Sequence, residues 1–225
     1  ELKLFLCDGE PDFYIRKGKN IFLFEFKDVM LNAKTKHCEN LEQIKYEIFQ
    51  IFETSTIEKS TGKQKKKPQA KGITQLLDVI ETKLDIIIQK VDKIEITHRL
   101  NVYPIIVYQD NCFDIEGIRY ILNSRFEELK QKRFISEHYS VKQCVMLSLE
   151  LMMKLEDYFN DGRFQLHNLI DDYIVESNES EQNKLLPFNK FIMRWAYKLG
   201  YKNCMSSRFK RILNFMIEKN RTKSK

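Results

Sequence analysis

The sequence predicts an α/β fold, in which helices cover the faces of a mixed sheet. Three patterns support this prediction. Residues 13–26 form two apolar runs around turn residues, residues 101–108 form another apolar run, and apolar side chains at helical spacing lie between them. A hairpin that continues through a helix into a further strand produces such a sheet.

The first elements are extended. Residues 1–7 predict a strand, and residues 8–11 bend the chain into the next one. A short aromatic and β-branched strand then covers residues 13–15, and turn-forming residues occupy 16–20. Residues 21–26 are almost wholly apolar, which predicts a strand that is buried in the sheet.

Helical spacing follows the hairpin. Apolar residues recur at helical intervals in residues 40–53, and a longer stripe predicts one helix across residues 73–94. Residues 54–72 are polar, with proline and two glycines, which predicts a loop that carries a basic insertion. Residues 101–108 then predict a buried strand, which completes the α/β core near residue 115.

From residue 115 the apolar period is helical, and the sequence predicts a mostly α-helical C-terminal region over residues 116–225. The boundary near residue 115 therefore predicts a core of residues 1–115 followed by a helical domain. The apolar stripes that predict its helices are at residues 118–129, 141–159, 164–174 and 188–199.

Composition limits the class of protein. The chain has 225 residues, of which 43% are hydrophobic and 31% charged, so it can bury a core and is not of the disordered class. Its net charge of +6 favours a polyanionic partner. Five cysteines without a CxxC pair indicate neither a zinc site nor a disulfide framework, and they predict a reducing compartment.

Location and boundaries follow from similar patterns. No apolar run is long enough for a bilayer and no signal peptide opens the chain, which predicts a soluble, cytoplasmic protein with no membrane partner. The chain begins at Glu1 instead of methionine. We therefore expect it to be part of a longer protein, with a further domain or protein partner upstream.

Three charged side chains meet at the end of the predicted hairpin. Side chains alternate along a strand, so Glu25 and Lys27 leave the same face, and Asp12 opens the preceding strand beside them. Two carboxylates can hold a hard divalent cation. A lysine next to that cation can position a water molecule and offset developing charge. The pattern therefore predicts a hydrolytic site.

The order of these residues, Pro11-Asp12 followed after a turn by Glu25-Phe26-Lys27, resembles the PD-(D/E)XK nuclease superfamily. The resemblance implies a restriction-endonuclease-like fold and an endonuclease, dependent on Mg²⁺ or Mn²⁺, that hydrolyses phosphodiester bonds of nucleic acid, with DNA favoured. It also implies metal ligation by Asp12, Glu25 and the Phe26 carbonyl. Lys27 would assist catalysis, and Gln75, in the first turn of the helix at 73–94, would point at the site.

Other interpretations stay open. Acid-x-lysine after an apolar strand also arises by chance, in an ordinary hairpin whose end carries solvated charges. A non-catalytic nucleic-acid or protein-binding module with the same fold is a further alternative. Asp8 and Glu10 are either additional metal ligands or turn residues, and Gln75 is either a site residue or an exposed helix residue.

Two basic segments are candidates for contacts with nucleic acid. Lys65, Lys66 and Lys67 either close over a phosphate backbone or belong to a solvated insertion. Near the C-terminus, Ser206 and Ser207 can cap a helix that follows the turn at Gly200. The two helices around this turn resemble a helix-turn-helix, and the alternative is a plain helical hairpin. The basic residues of its second helix are Arg208, Lys210 and Arg211.

Overall fold

The computed structural model describes residues 10–36, 39–55, 69–160, 162, 164–200, 206–208, 210–212 and 214–215. The strand predicted at residues 1–7, Asp8, and the lysines at 65–67 lie outside the described residues. The strands are β1 (Phe13–Lys17), β2 (Asn20–Lys27), β3 (Thr54–Ser55), β4 (Gln69–Ala70), β5 (Leu100–Tyr108), β6 (Tyr139–Val141) and β7 (Val145–Ser148). The α-helices are α1 (Ala33–Lys36), α2 (Leu41–Phe52), α3 (Ile73–Thr82), α4 (Leu84–Ile87), α5 (Ile118–Gln131), α6 (Leu149–Lys154), α7 (Glu156–Asn160), α8 (Leu166–Ser177), α9 (Glu181–Lys184) and α10 (Phe188–Lys198).

Five of these strands form one open, mixed sheet. Its order is β1, β2, β5, and then β6 and β7, which pair with successive halves of β5. β1 is antiparallel to β2, and β2, β5, β6 and β7 run parallel. The predicted α/β class with a mixed sheet is therefore confirmed.

The predicted hairpin is confirmed, with a tighter turn than expected. Arg16 pairs with Ile21 and Lys17 with Asn20, so only Gly18 and Lys19 form the turn. Gly18 has a φ of +62°. A residue without a Cβ adopts this left-handed conformation without steric cost, which allows the strands to extend almost to the tip.

The connection from β2 to β5 is largely helical. Asn40 caps α2, because its side-chain oxygen accepts hydrogen bonds from the amides of Glu42 and Gln43. The ends of the predicted loop at 54–72 instead form a small two-stranded sheet of β3 and β4. These strands have two residues each, too few for side-chain alternation to reveal them.

The single helix predicted over residues 73–94 is interrupted. α3 ends at Thr82, α4 begins at Leu84, and a π-helical turn, Ile88–Asp92, leads to Lys93, whose φ is +55°. The apolar stripe continues through these pieces, and all of them contribute to one hydrophobic cluster. The apolar period indicates which side chains are buried. A break in the helical hydrogen bonds does not move those side chains to another face, so the period cannot reveal the break.

The sheet is covered on both faces. One hydrophobic cluster joins alternate residues of β2 and β5 to α2, α3, α4 and α5. The other joins the opposite face of the same strands to α6, α8 and α10. Helices α6, α8 and α10 therefore bury the face of the sheet that α2 to α5 leave uncovered.

The helix predicted across residues 141–159 is wrong in its first part. Val141, where the predicted helix begins, is the last residue of β6. β7 then occupies Val145–Ser148, and helical structure starts only with α6. Val145, Met146 and Leu147 are all buried because both faces of the sheet are covered. A short apolar run that is buried on both sides has no alternation, so its period cannot distinguish a strand from a helix.

The sheet thus continues past residue 115, and the division into a core and a helical domain stays a prediction. The helices predicted around residues 40–53, 118–129, 164–174 and 188–199 are confirmed as α2, α5, α8 and α10. No helix among the described segments is both long and apolar enough to cross a membrane.

Candidate functional site

The hairpin places Asp12 at the end of β2. Phe13, the first residue of β1, pairs with Phe24, so the residue before it lies beside the last residues of β2. The backbone amide of Phe26 donates a hydrogen bond to Asp12 Oδ2 over 2.7 Å. This bond fixes the Asp12 carboxylate next to the Glu25-Phe26-Lys27 segment, as the sequence predicted.

Glu25 and Lys27 lie on the same face of β2, as strand alternation requires. Lys27 Nζ contacts Glu25 Oε1 at 2.5 Å. Glu25 is only 2% exposed, and the Lys27 side chain is 13% exposed. The two charges therefore form a buried ion pair, in contrast to the solvated strand end of the alternative interpretation.

The electrostatic state of Glu25 is unusual for a surface strand end. Burial raises its pKa from 4.5 to about 7, against the lowering effect of the Lys27 ammonium. The nearby Asp12 carboxylate raises this pKa further, because a second negative charge favours the protonated form of Glu25. Among the residues that the structure describes, nothing forms a hydrogen bond with the buried Glu25 Oε2. One carboxylate oxygen thus pairs with Lys27, and the other is an unsatisfied acceptor.

Gln75 reaches the same region from α3. It lies in the first turn of that helix, as predicted, and its Nε2 donates a hydrogen bond to the backbone carbonyl of Glu10 over 3.1 Å. The contact holds the segment that leads into Asp12. In the part of the chain that the structure describes, the buried Glu10 Oε2 has no hydrogen-bond partner. Gln75 therefore positions the backbone beside the site in this structure.

The predicted metal ligands can be tested against the donor set. Among the residues that the structure describes, no group of three or more His, Cys, Asp or Glu residues could hold a metal ion. Mg²⁺ is commonly held by one or two carboxylates, with waters and substrate phosphates completing its shell. Asp12, Glu25 and the Phe26 carbonyl are oxygen donors of the types that such a smaller site uses.

The basic candidates near the C-terminus are not part of this cluster. Ser206 precedes the helical residues at 207–208 and 210–212, in agreement with its predicted capping position. The Ser207 amide and hydroxyl both donate to Asp157, on α7. Arg208 pairs with Glu156 at 3.5 Å, and Lys210 and Arg211 are exposed.

The sequence analysis missed a buried polar network near the carboxyl ends of β5 and β7. Asn189, on α10, donates to Tyr108 Oη over 2.8 Å and to Asp114 Oδ1 over 2.6 Å, and it accepts the Ser148 amide over 3.2 Å. Tyr108 is the register partner of Lys27. Its place at the end of an apolar strand was the available signal, whereas nothing distinguished Asn189 from other polar residues of an amphipathic helix.

No protein-family model, curated protein or solved structure matches this chain. The function must therefore be argued from the residues that meet at the end of the hairpin.

Proposed function

We propose that this chain is a metal-dependent nuclease of the PD-(D/E)XK type, which hydrolyses phosphodiester bonds of nucleic acid as an endonuclease, with DNA the favoured substrate. The observation that carries the proposal is the arrangement of Asp12, Glu25 and Lys27 at the end of one hairpin, with Glu25 buried. A pKa shift from 4.5 to about 7 corresponds to about 3 kcal/mol against the ionised carboxylate. Folding alone gives no reason to retain an acid there, whereas binding a cation does.

The donor set supports Mg²⁺ or Mn²⁺ as the cofactor. Asp12, Glu25 and the Phe26 carbonyl would hold the ion, which would supply Lewis-acid stabilisation of charge on a phosphodiester. The Phe26 amide orients Asp12 toward this point. Gln75 holds the backbone before Asp12, so the carboxylate keeps its place.

Lys27 supplies the remaining positive charge. Its ammonium has three donors and cannot ligate a cation, so its contribution lies in holding a water molecule or in stabilising negative charge on the phosphate. In this structure the ammonium pairs with Glu25 Oε1. This pair lowers the pKa of Glu25 and so favours the ionised carboxylate that a metal needs.

The order of elements supports a restriction-endonuclease-like core. The Asp12 strand and the Glu25 strand form a hairpin, and helices α2 to α4 then lead to β5, which lies parallel to β2. Two groups of basic residues would contact phosphates of the nucleic acid. The first is Lys65–Lys67, and the second is Arg208, Lys210 and Arg211.

One observation favours a second candidate function. The Lys27–Glu25 pair neutralises both charges in the absence of a metal. A binding module that keeps the fold without cleaving would contain such a closed pair, and it would engage nucleic acid or a protein. Cleavage assays distinguish this module from the nuclease.

The decisive experiment is a cleavage assay on plasmid and single-stranded circular DNA with Mg²⁺, Mn²⁺ or EDTA. We expect metal-dependent cleavage by the unmutated chain and none by Asp12→Ala or Glu25→Ala, since each loses a carboxylate ligand. Glu42→Ala is the matched control, because this acid is exposed on α2 and pairs with Lys45, one turn along its own helix. If both site variants are folded and cleave at the unmutated rate, the proposed site is wrong.

A further inference from the structure

One face of the hairpin carries a row of side chains that the candidate site does not use. Phe13, Ile15 and Lys17 point to the same side of β1, and Phe26 lies beside Phe13 on β2. The Phe13 and Phe26 ring centroids are 6.0 Å apart, with a tilt of 59°. Ile15 is 41% exposed and Phe26 is 38% exposed. We call Phe13, Ile15, Lys17 and Phe26 the hairpin row.

The hairpin row begins beside Asp12 in the chain, on the opposite face of the sheet from Glu25 and Lys27. Phe13 directly follows Asp12, and the amide of Phe26 holds the Asp12 carboxylate. From Phe13 the row continues along β1 to Lys17, a distance of about 13 Å at the usual rise of a strand. A ligand that lies along this row therefore reaches the end of the hairpin, on the opposite face of the sheet from the Glu25 and Lys27 side chains.

The far end of the row is positively charged. Lys17 is exposed, and its Nζ donates to Gln165 Oε1 over 2.6 Å. An amide does not neutralise an ammonium, and within the described part of the chain no carboxylate pairs with Lys17. The row thus combines three apolar side chains, two of them aromatic, with a cation that no described carboxylate neutralises.

This combination matches single-stranded nucleic acid. Bases of a single strand can leave their neighbours and stack on aromatic side chains, while lysines contact the phosphates. Bases within a duplex are already stacked on each other and present only their edges, which a half-exposed phenylalanine on a sheet face cannot read. A protein partner would fit the apolar residues alone and would leave the position of Lys17 unexplained.

We infer that the hairpin row binds a single-stranded segment of nucleic acid, with a base stacked on Phe26 and a phosphate on Lys17. The inference does not depend on the proposed function, because the row lies on the opposite face of β2 from the Glu25 and Lys27 side chains. The bound strand would follow β1 from Phe13 toward the turn.

The test measures binding without cleavage. Fluorescence anisotropy in EDTA compares a labelled single-stranded DNA oligonucleotide, the same sequence in RNA, and its DNA duplex. We expect at least one single strand to bind about tenfold or more tightly than the duplex. Phe26→Ala should weaken that binding by about fivefold to a hundredfold, the effect of losing one base stack, and leave duplex binding unchanged.

Two further variants separate stacking from structural damage. Phe26→Leu keeps apolar bulk but removes the aromatic ring, so its melting temperature should match that of the unmutated chain while its binding to the single strand weakens. Phe134→Ala is the matched control, because this phenylalanine is 86% exposed outside the row, and its binding should not change.

The outcomes distinguish this inference from the nuclease proposal. Equal affinity for duplex and single strands, or unchanged binding by folded Phe26→Leu and Phe26→Ala, would overturn the hairpin row as a binding surface, whatever the chain cleaves. Single-strand binding that depends on Phe26, without metal-dependent cleavage of any substrate, would support the row and reject the nuclease.

Discussion

At the scale of single residues, Glu25 has the most strongly perturbed carboxylate of the candidate site. Its pKa of about 7 in the folded chain is above its ordinary value of 4.5. A raised carboxyl pKa means that the folded chain binds the proton more tightly than the unfolded chain does. Stability is therefore highest below about pH 4.5 for this group and falls by about 3 kcal/mol as pH rises through 7.

The affinity for Mn²⁺ should depend on the same titration of Glu25, but it should rise with pH where the stability falls. A metal needs the ionised carboxylate, so we expect affinity to rise about tenfold per pH unit up to about pH 7 and to level off above it. Calorimetric titration across this range measures the effect. Glu25→Gln removes the titrating group and should bind weakly at every pH. A flat profile in the unmutated chain would mean that Glu25 is not a ligand.

Lys27→Met tests the second charge of the pair. Removal of the ammonium takes away the contact that lowers the Glu25 pKa, so this pKa should rise above 7 and metal binding should shift to higher pH. Even at a pH where the metal is bound, we expect the cleavage rate to fall by about 10² or more.

Lys45→Met is the control for Lys27→Met, since Lys45 pairs with Glu42 on the surface of α2. Metal titration and cleavage assays on both variants decide the role of Lys27. Normal cleavage by Lys27→Met would show that this lysine is only a charged strand end.

At the scale of elements, the start of α3 depends on a glycine. Gly72 has a φ of +50°, and a Cβ there would lie 2.4 Å from the Phe52 carbonyl oxygen at the end of α2. This close approach sets where α3 begins and hence where Gln75 meets the Glu10 carbonyl. The position of α3 against the hairpin therefore requires a residue without a side chain.

Gly72→Ala should lower the free energy of unfolding by about 3 kcal/mol or more, because backbone strain and a backbone clash add. Gly18→Ala is the matched control. Its φ is +62°, but nothing lies within 4 Å of the added Cβ, so it should cost only about 1 kcal/mol. Urea unfolding of both variants measures the difference, and equal costs would contradict the close approach at Gly72.

At the scale of the whole molecule, Asn189 joins α10 to the ends of β5 and β7. Burial raises the pKa of Asp114, one of its partners, although the hydrogen bonds from Tyr108 and Asn189 act in the opposite direction. These bonds, and the hydrophobic cluster beneath α10, connect the second half of the chain to the sheet. We therefore expect both halves to unfold together.

Asn189→Leu should destabilise the whole chain by about 3 kcal/mol, since it leaves buried polar partners without their hydrogen bonds. Unfolding is followed by circular dichroism and by fluorescence of Trp195, the chain's single tryptophan, which packs in the cluster beneath α10. Both transitions should shift by the same amount, and Asn178→Leu, at an exposed position, should shift neither. A shift of the Trp195 transition alone would indicate halves that unfold independently.

Much of the fold could be predicted from local patterns. The hairpin, α2, β5 and the amphipathic helices all have apolar spacing that reports their own period. The relation of Asp12 to Glu25 and Lys27 was also within reach, because one turn and strand alternation determine it. Each of these features depends on residues that are close in sequence.

Only the tertiary structure decided the rest. β7 is a strand because helices from distant segments cover both of its faces. The raised pKa of Glu25 depends on its burial in the folded chain, and the contact between Gln75 and Glu10 joins residues 65 positions apart. The sequence by itself determined which faces are apolar and which charged residues share a strand end. Packing decided how deeply those charges are buried, since burial depends on contacts that no local pattern records.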